Sequence, residues 1–172
     1  MEILEILKYT LPSLVVLACS YLMTKQFHQR DEKKERMELL IGNNKTVLPV
    51  KLAAYERLVL FLERMEPQSI VIRTAENGMT AIELQRDLLA TIRAEFEHNY
   101  SQQLYVSDSA WKAVTETKDV MVQLVNQTAQ TVAVDAKALE LGKKIIDNYA
   151  ALPNSPINMA ISVLKTELAT IC

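Results

Sequence analysis

The chain has 172 residues, with 19 Lys and Arg against 21 Asp and Glu and a formal net charge of −2. That balance argues against a nucleic-acid binder, which carries a strong basic excess. Three glycines and five prolines leave little room for hairpins or glycine-rich phosphate loops, and such scarcity favours helices.

At the start of the chain, Tyr9 to Thr24 form a run of 16 residues without a charge. As a helix this run covers only about 24 Å of a bilayer core about 30 Å thick. Counted from Ile3 it reaches 22 residues, with Glu5 and Lys8 near the interface, and that is long enough. Tyr9 and Tyr21 sit near the two ends, as interfacial aromatics do, and Pro12 is expected to kink the helix. Lys25, Arg30, Lys33, Lys34 and Arg36 flank the downstream end against Lys8 upstream. Acidic residues count little in this asymmetry, so the expectation is a bacterial inner-membrane protein crossing once, N-terminus outside and C-terminal body cytoplasmic. Three other readings compete with this anchor. A cleaved signal peptide wants a basic start, and this one has Glu2 and Glu5. Val16-Leu17-Ala18-Cys19 is similar to a lipobox with Cys19 as the acylated residue, but Leu17 is bulky there and apolar residues continue through Tyr21, Leu22 and Met23. The third reading is a buried helix of a soluble protein. The organisation expected is an anchor over 1–24, a juxtamembrane helical stalk and hinge over 25–44, and a helical bundle over 45–172.

The stalk reads as a helix from Thr24 to Ile41, with pairs such as Glu32 and Arg36 at helical spacing, ended by Gly42-Asn43-Asn44. Pro49 is expected at the first turn of a helix whose apolar stripe is Leu52, Tyr55, Leu58, Val59 and Leu62, with Lys51, Glu56, Arg57, Glu63 and Arg64 facing water. Pro67 stops it. Residues 69–74 (SIVIRT) have strand-like β-branching, but no second strand exists to satisfy the backbone, so a short helix opened by Pro67 is preferred. Asn77-Gly78 reads as a turn. Thr80 with Glu83 forms a capping box for a helix reaching about Gln103, with Leu84, Leu88, Ile92, Phe96 and Tyr100 along one side. Ser107 or Asp108 caps the next, which carries Trp111, Val114, Met121, Leu124, Val125 and Val132, with a break or kink near Val132 to Asp135. A further helix spans about Asp135 to Ala151, with Leu139, Ile145, Ile146 and Tyr149 as its apolar residues. Pro153 breaks it, and Ser155-Pro156 starts a last helix with Ile157, Ile161, Leu164, Leu168 and Ile171. The architecture expected is an all-α antiparallel bundle of about five helices.

The search for chemistry is mostly negative. The cysteines, Cys19 and Cys172, lie far apart in sequence and supply neither a disulfide framework nor a metal set, and Cys172 lacks a prenylation spacing. Of the two histidines, His28 falls in the stalk and His98 in the helix after Thr80. Glu95-x-x-His98 has the ligand spacing of di-iron bundles, but such sites need two copies and two more glutamates. No nucleotide-binding, nucleophile-elbow or zinc-protease motif occurs. The most distinctive polar stretch is EHNYSQQLYVSDSAW, Glu97 to Trp111. His98 with Gln102, and Asn99 with Gln103, are one helical turn apart, and Tyr105 and Trp111 lie across the turn. Amides beside large aromatics make a candidate partner surface. The competing reading is a bundle corner where these groups satisfy helix ends.

At PVKLAAYERLVLFLERMEP (Pro49 to Pro67) and again at EHNYSQQLYVSDSAW the chain resembles a family of small bacterial membrane-anchored proteins with one N-terminal span and a cytoplasmic helical region. The likeness covers residues 3 to about 115 and implies topology only, because that family has no assigned activity, ligand or partner. The plan is also superficially similar to the membrane-anchored stator subunit of rotary ATP synthases, though prolines and turns after Leu48 break the long helix such a stalk requires. The functional expectation is a non-enzymatic interaction or scaffolding protein whose partners are the lipid bilayer and an unidentified protein, with no nucleic acid and no cofactor, catalytic or metal residue assigned. Self-association through the polar middle helix is a further expectation. The alternatives are a lipoprotein anchored through Cys19 and facing the envelope, and a phosphorelay or enzyme element using His98.

Overall fold

The computed structural model describes residues 17, 20, 21, 23–25, 45 and 47–171. The chain divides into two units, Met1–Leu48 and Pro49–Cys172. In the first, the described residues are helical and mostly exposed, and the Thr24 hydroxyl donates to the Ser20 carbonyl at 2.8 Å. Among the described residues no helix is long and apolar enough to cross a membrane. The span expected over 1–24 lies outside the described residues apart from Leu17, Ser20, Tyr21, Met23 and Thr24, and so do Cys19, His28 and nearly all of the stalk.

The second unit is all-α. It holds α1 (residues 49–64), α2 (Pro67–Thr74), α3 (Ala81–Asn99), a 3₁₀ turn (Tyr100–Leu104), α4 (Asp108–Ala129), α5 (Ala138–Ala150) and α6 (Pro156–Ile171). There are six α-helices here against about five expected, and the short helix expected to open at Pro67 is one of them, Pro67–Thr74. Lys45, Val47 and Leu48 are already helical, so Pro49 does not open the first helix. The ring fixes φ at a helical value, and its missing N–H disturbs one turn only.

The α1 stripe lies largely where it is expected, with Tyr55, Leu58 and Leu62 buried, and Ala54, Phe61 and Met65 widen it. Leu52 and Val59 are half-buried. Phe61 and Met65 join the buried face because they have the larger area to remove from water. Glu66 is extended, as the residue before a proline must be, and Pro67 restarts the helix as α2. The β-branched run there is helical because Ile70 and Val71 bury against α3 and α5, and packing of that kind overrides propensity.

Gly78, at φ +87°, makes the turn into α3. The Thr80 backbone N–H then donates to the Glu83 carboxylate at 2.9 Å, which holds that carboxyl below its usual range. Leu84, Leu88 and Ile92 form the buried seam of α3. Helix α3 ends earlier than expected, at Asn99, whose amide donates to the Glu95 carbonyl at 2.8 Å. A side chain competing for a helix carbonyl tightens or ends the last turn, here into 3₁₀ geometry.

In α4 the buried positions are Ala110, Val114, Thr117, Met121, Val125 and Thr128, spaced three or four residues apart throughout. Thr117 and Thr128 face inward because their hydroxyls are satisfied: Thr117 donates to Ala113 O at 2.8 Å and Thr128 accepts from the Asn148 amide at 3.0 Å. Val132 falls beyond the end of α4, and the break occupies residues 130–137. In α5 the buried face is Ala138, Leu141, Gly142 and Ile145. Leu139, expected in the core, is 79% exposed. It sits one position off that face, whose small members allow α5 to approach α2: a Cβ on Gly142 would lie 2.7 Å from Val71 Cγ1.

Ala81 N–H donates to Ala136 O at 2.8 Å, and Ala138 N–H donates to Met79 O at 3.0 Å. These bonds pin the starts of α3 and α5 side by side, so the two packed helices begin at the same end of the bundle. The last helix packs on α4 through Ile157, Ala160, Ile161 and Leu164. Ser155 caps it by accepting from Asn158 N–H at 3.2 Å. One continuous core runs from Tyr55 to Leu164.

Candidate interaction surface

Where α6 lies on α4 the two helices leave an open groove. One cavity, of about 310 Å³, is lined by Ala113, Glu116, Thr117, Val120, Met159 and Val163 among others. A second, of about 570 Å³, continues along α6 past Ser162, Val163, Thr166, Glu167 and Thr170, with Ser107 and Ser109 opposite. Val163 belongs to both. The apolar rim is open to solvent: Val120 is 37% exposed, Met159 59% and Val163 39%. The floor is small and quiet, since Ala160 is buried and the Thr117 hydroxyl is already satisfied within its helix. Among the described residues, no Lys, Arg or His lines either cavity.

One end of the groove is fixed by Glu167. Its carboxylate accepts from the Tyr55 hydroxyl, from the Ser107 backbone N–H at 3.0 Å and from the Ser107 hydroxyl at 2.5 Å. Ser107 Oγ also accepts from Ala110 N–H at 3.1 Å, so an acid from α6 completes the cap of α4. Partial burial would raise the Glu167 carboxyl, but the hydrogen bonds from Ser107 and Tyr55, helped slightly by Lys51, outweigh it and hold it low. Burial, with the bond to Glu167 and its charge, pushes the Tyr55 phenol far above its ordinary value. The knot joins α1, α4 and α6.

The residues singled out from sequence separate. Asn99 and Gln102 are buried, and the Gln102 amide donates to Ser101 Oγ at 3.4 Å. Trp111 is half-buried and stacks on Phe96 with ring centroids 5.5 Å apart, with Tyr100 edge-on to both. Lys118 Nζ lies 4.9 Å from the Phe96 centroid, adding a cation–π contact. His98, Gln103 and Tyr105 remain wholly or partly accessible. Thus the stretch is partly a bundle corner, and its exposed members do not form one patch with Asn99 and Gln102.

Glu95 and His98 share a notch of about 190 Å³ with Arg57 and Arg64. There Glu95 pairs with Arg64 at 2.6 Å and reaches Arg73 at 3.7 Å, so its carboxylate ties α3 to α1 and α2. Sequence reasoning missed the groove. The available signal was α6 itself, where Lys165 and Glu167 are the sole charges among 16 residues. An outer helix face normally carries more.

The chain matches no curated protein and no solved structure. A family model does match, over residues 1–171, and it describes a family of unknown function, DUF7935; the chain belongs to that family.

Proposed function

We propose that the protein is a non-enzymatic docking module held at the cytoplasmic face of a bacterial inner membrane, with the α4–α6 groove as its binding face. One observation carries the docking reading: a partly apolar groove along the length of α6, with exposed Val120, Met159 and Val163 and, among the described residues, glutamates as its sole charged lining. Exposed apolar surface rimmed by polar groups marks interaction sites. The anchor rests on the uncharged run Tyr9 to Thr24 and the basic residues after it.

A photo-crosslinking residue at position 120 of the full chain, activated in living cells, tests the docking reading. Discrete adducts lost in Val163→Asp are expected. No adduct at 120, or adducts indifferent to Val163→Asp, would remove it. The anchor is tested separately, by alkaline carbonate extraction and by labelling Cys172 with an impermeant maleimide before and after lysis of spheroplasts. The protein should stay with the membrane and label only after lysis. Extraction into the soluble fraction refutes the anchor, and labelling before lysis refutes the orientation. Loss of a fatty-acid label in Cys19→Ala would favour the lipoprotein alternative.

A further inference from the structure

We infer that the occupant of the α4–α6 groove is a helix of a partner protein, about four turns long, with an apolar stripe bracketed by lysines or arginines. This deepens the docking reading above and rests on it. The length follows from α6, whose 16 residues from Pro156 to Ile171 run about 24 Å beside the groove. The apolar stripe follows from the lining. Val120, Met159 and Val163 stand at the rim in the middle stretch, and the buried Ala160 with the self-satisfied Thr117 leaves a shallow floor that asks for no polar ligand. Helix-in-groove recognition takes such a surface with anchors at helical spacing.

The basic ends follow from charge. Glu116 lies in the part of the groove that holds Pro156 and Met159, and Glu167 in the part that holds Thr170 and Ile171. Among the described residues no basic residue lines either part, so each end presents a carboxylate. Lys112 lies 3.7 Å from Glu116 with both side chains largely exposed, a geometry in which solvent screens the pair. Glu167 keeps its charge, since its hydrogen-bond partners are hydroxyls and an N–H and the nearby Lys51 favours the anion without lining the groove. A second copy of this chain is a poor occupant by the same reasoning. A two-fold contact centred on Val163 would bring each Glu167 to the other copy's Glu116 end, and opposed carboxylates repel.

The test uses the full chain in nanodiscs of zwitterionic lipid, with empty discs subtracted. The probe is a fluorescein-labelled helical peptide of about four turns, with leucines at i, i+3, i+4 and i+7 and lysines at both ends. Its sister has the same stripe and glutamates at the ends. The lysine-ended peptide should bind about ten-fold tighter than its sister, with the gap narrowing as salt rises and on Glu116→Gln. Val163→Asp should abolish binding, and Met159→Glu, at a more exposed site, repeats that test should the first variant lose its Trp111 fluorescence. Equal affinity for the two peptides overturns the inference. So does a dimer in sedimentation that Val163→Asp dissociates, which would make the occupant a second copy. Either result leaves the docking reading standing if the crosslinks from position 120 persist; their absence removes both.

Discussion

Glu167→Ala removes the acceptor of three hydrogen bonds at once, and the loss can be worked out group by group. The Tyr55 hydroxyl belongs to a buried residue and would be left without a partner, which costs about 1–3 kcal/mol. Ser107 is exposed, and water replaces Glu167 for its hydroxyl and N–H, so those two bonds contribute about 1 kcal/mol together. The start of α4 also loses an anion, about 0.3–1 kcal/mol. The sum is about 2–5 kcal/mol. Urea denaturation followed by the fluorescence of Trp111, the one tryptophan, measures it. In the double variant with Tyr55→Phe the orphaned hydroxyl is gone, so its loss should fall short of the two single losses added together by about 1–2 kcal/mol. Additive losses, or a Glu167→Ala loss below about 0.5 kcal/mol, would refute the reasoning. The pH dependence has a fixed sign. The carboxyl is depressed in the folded state, so its contribution is complete above the unfolded value near 4.3 and fades as pH falls through the folded value. Glu167→Gln should therefore lose less stability than the parent on acidification below about pH 4.5.

Three other outcomes are expected. Gly142→Ala gains about 1 kcal/mol in helix propensity but forces the Val71 side chain aside, for a net loss of about 1 kcal/mol that Val71→Ala in the same chain should relieve, as a double-mutant cycle would read. Met121→Ala, at the buried centre of α4, should lose about 2–5 kcal/mol by denaturation, with a cavity left where the thioether was. The Tyr55 phenol is raised in the folded state, so its stabilisation is full below the ordinary value near 10 and is lost at higher pH. A base titration of Tyr55→Phe, followed by circular dichroism, should show a shallower decline above about pH 10 than the parent.

Helix starts were largely legible in the sequence, because capping is local chemistry. Thr80 with Glu83, Ser107, and Ser155 before Pro156 each open a helix as their residue types require. The short helix over SIVIRT was also legible, from the absence of any strand to pair with it. Phase was harder. In α1 the apolar residues spread beyond one face, and in α5 the buried face is built partly from Ala138 and Gly142, which read as neutral in a hydrophobic pattern, so Leu139 drew the expectation instead. Asn99 and Gln102 have amides whose partners lie within four residues, which spacing alone does not distinguish from an outward patch. The groove escaped for a different reason. A pattern reading asks which residues of α6 are buried, whereas the groove is made by what its outer face lacks.

The Tyr55–Glu167 bond closes 112 residues of chain, a far longer loop than the packing of consecutive helices such as α3 on α4 or α4 on α5 has to close. Contacts with so much chain between them form after the local helical hairpins, since closing a long loop has its entropic cost before any reward. Interactions absent from the folding transition state act on the unfolding rate and leave the folding rate nearly alone. The knot at the head of α4 is thus a latch in time: it sets how long α6 stays in place once docked.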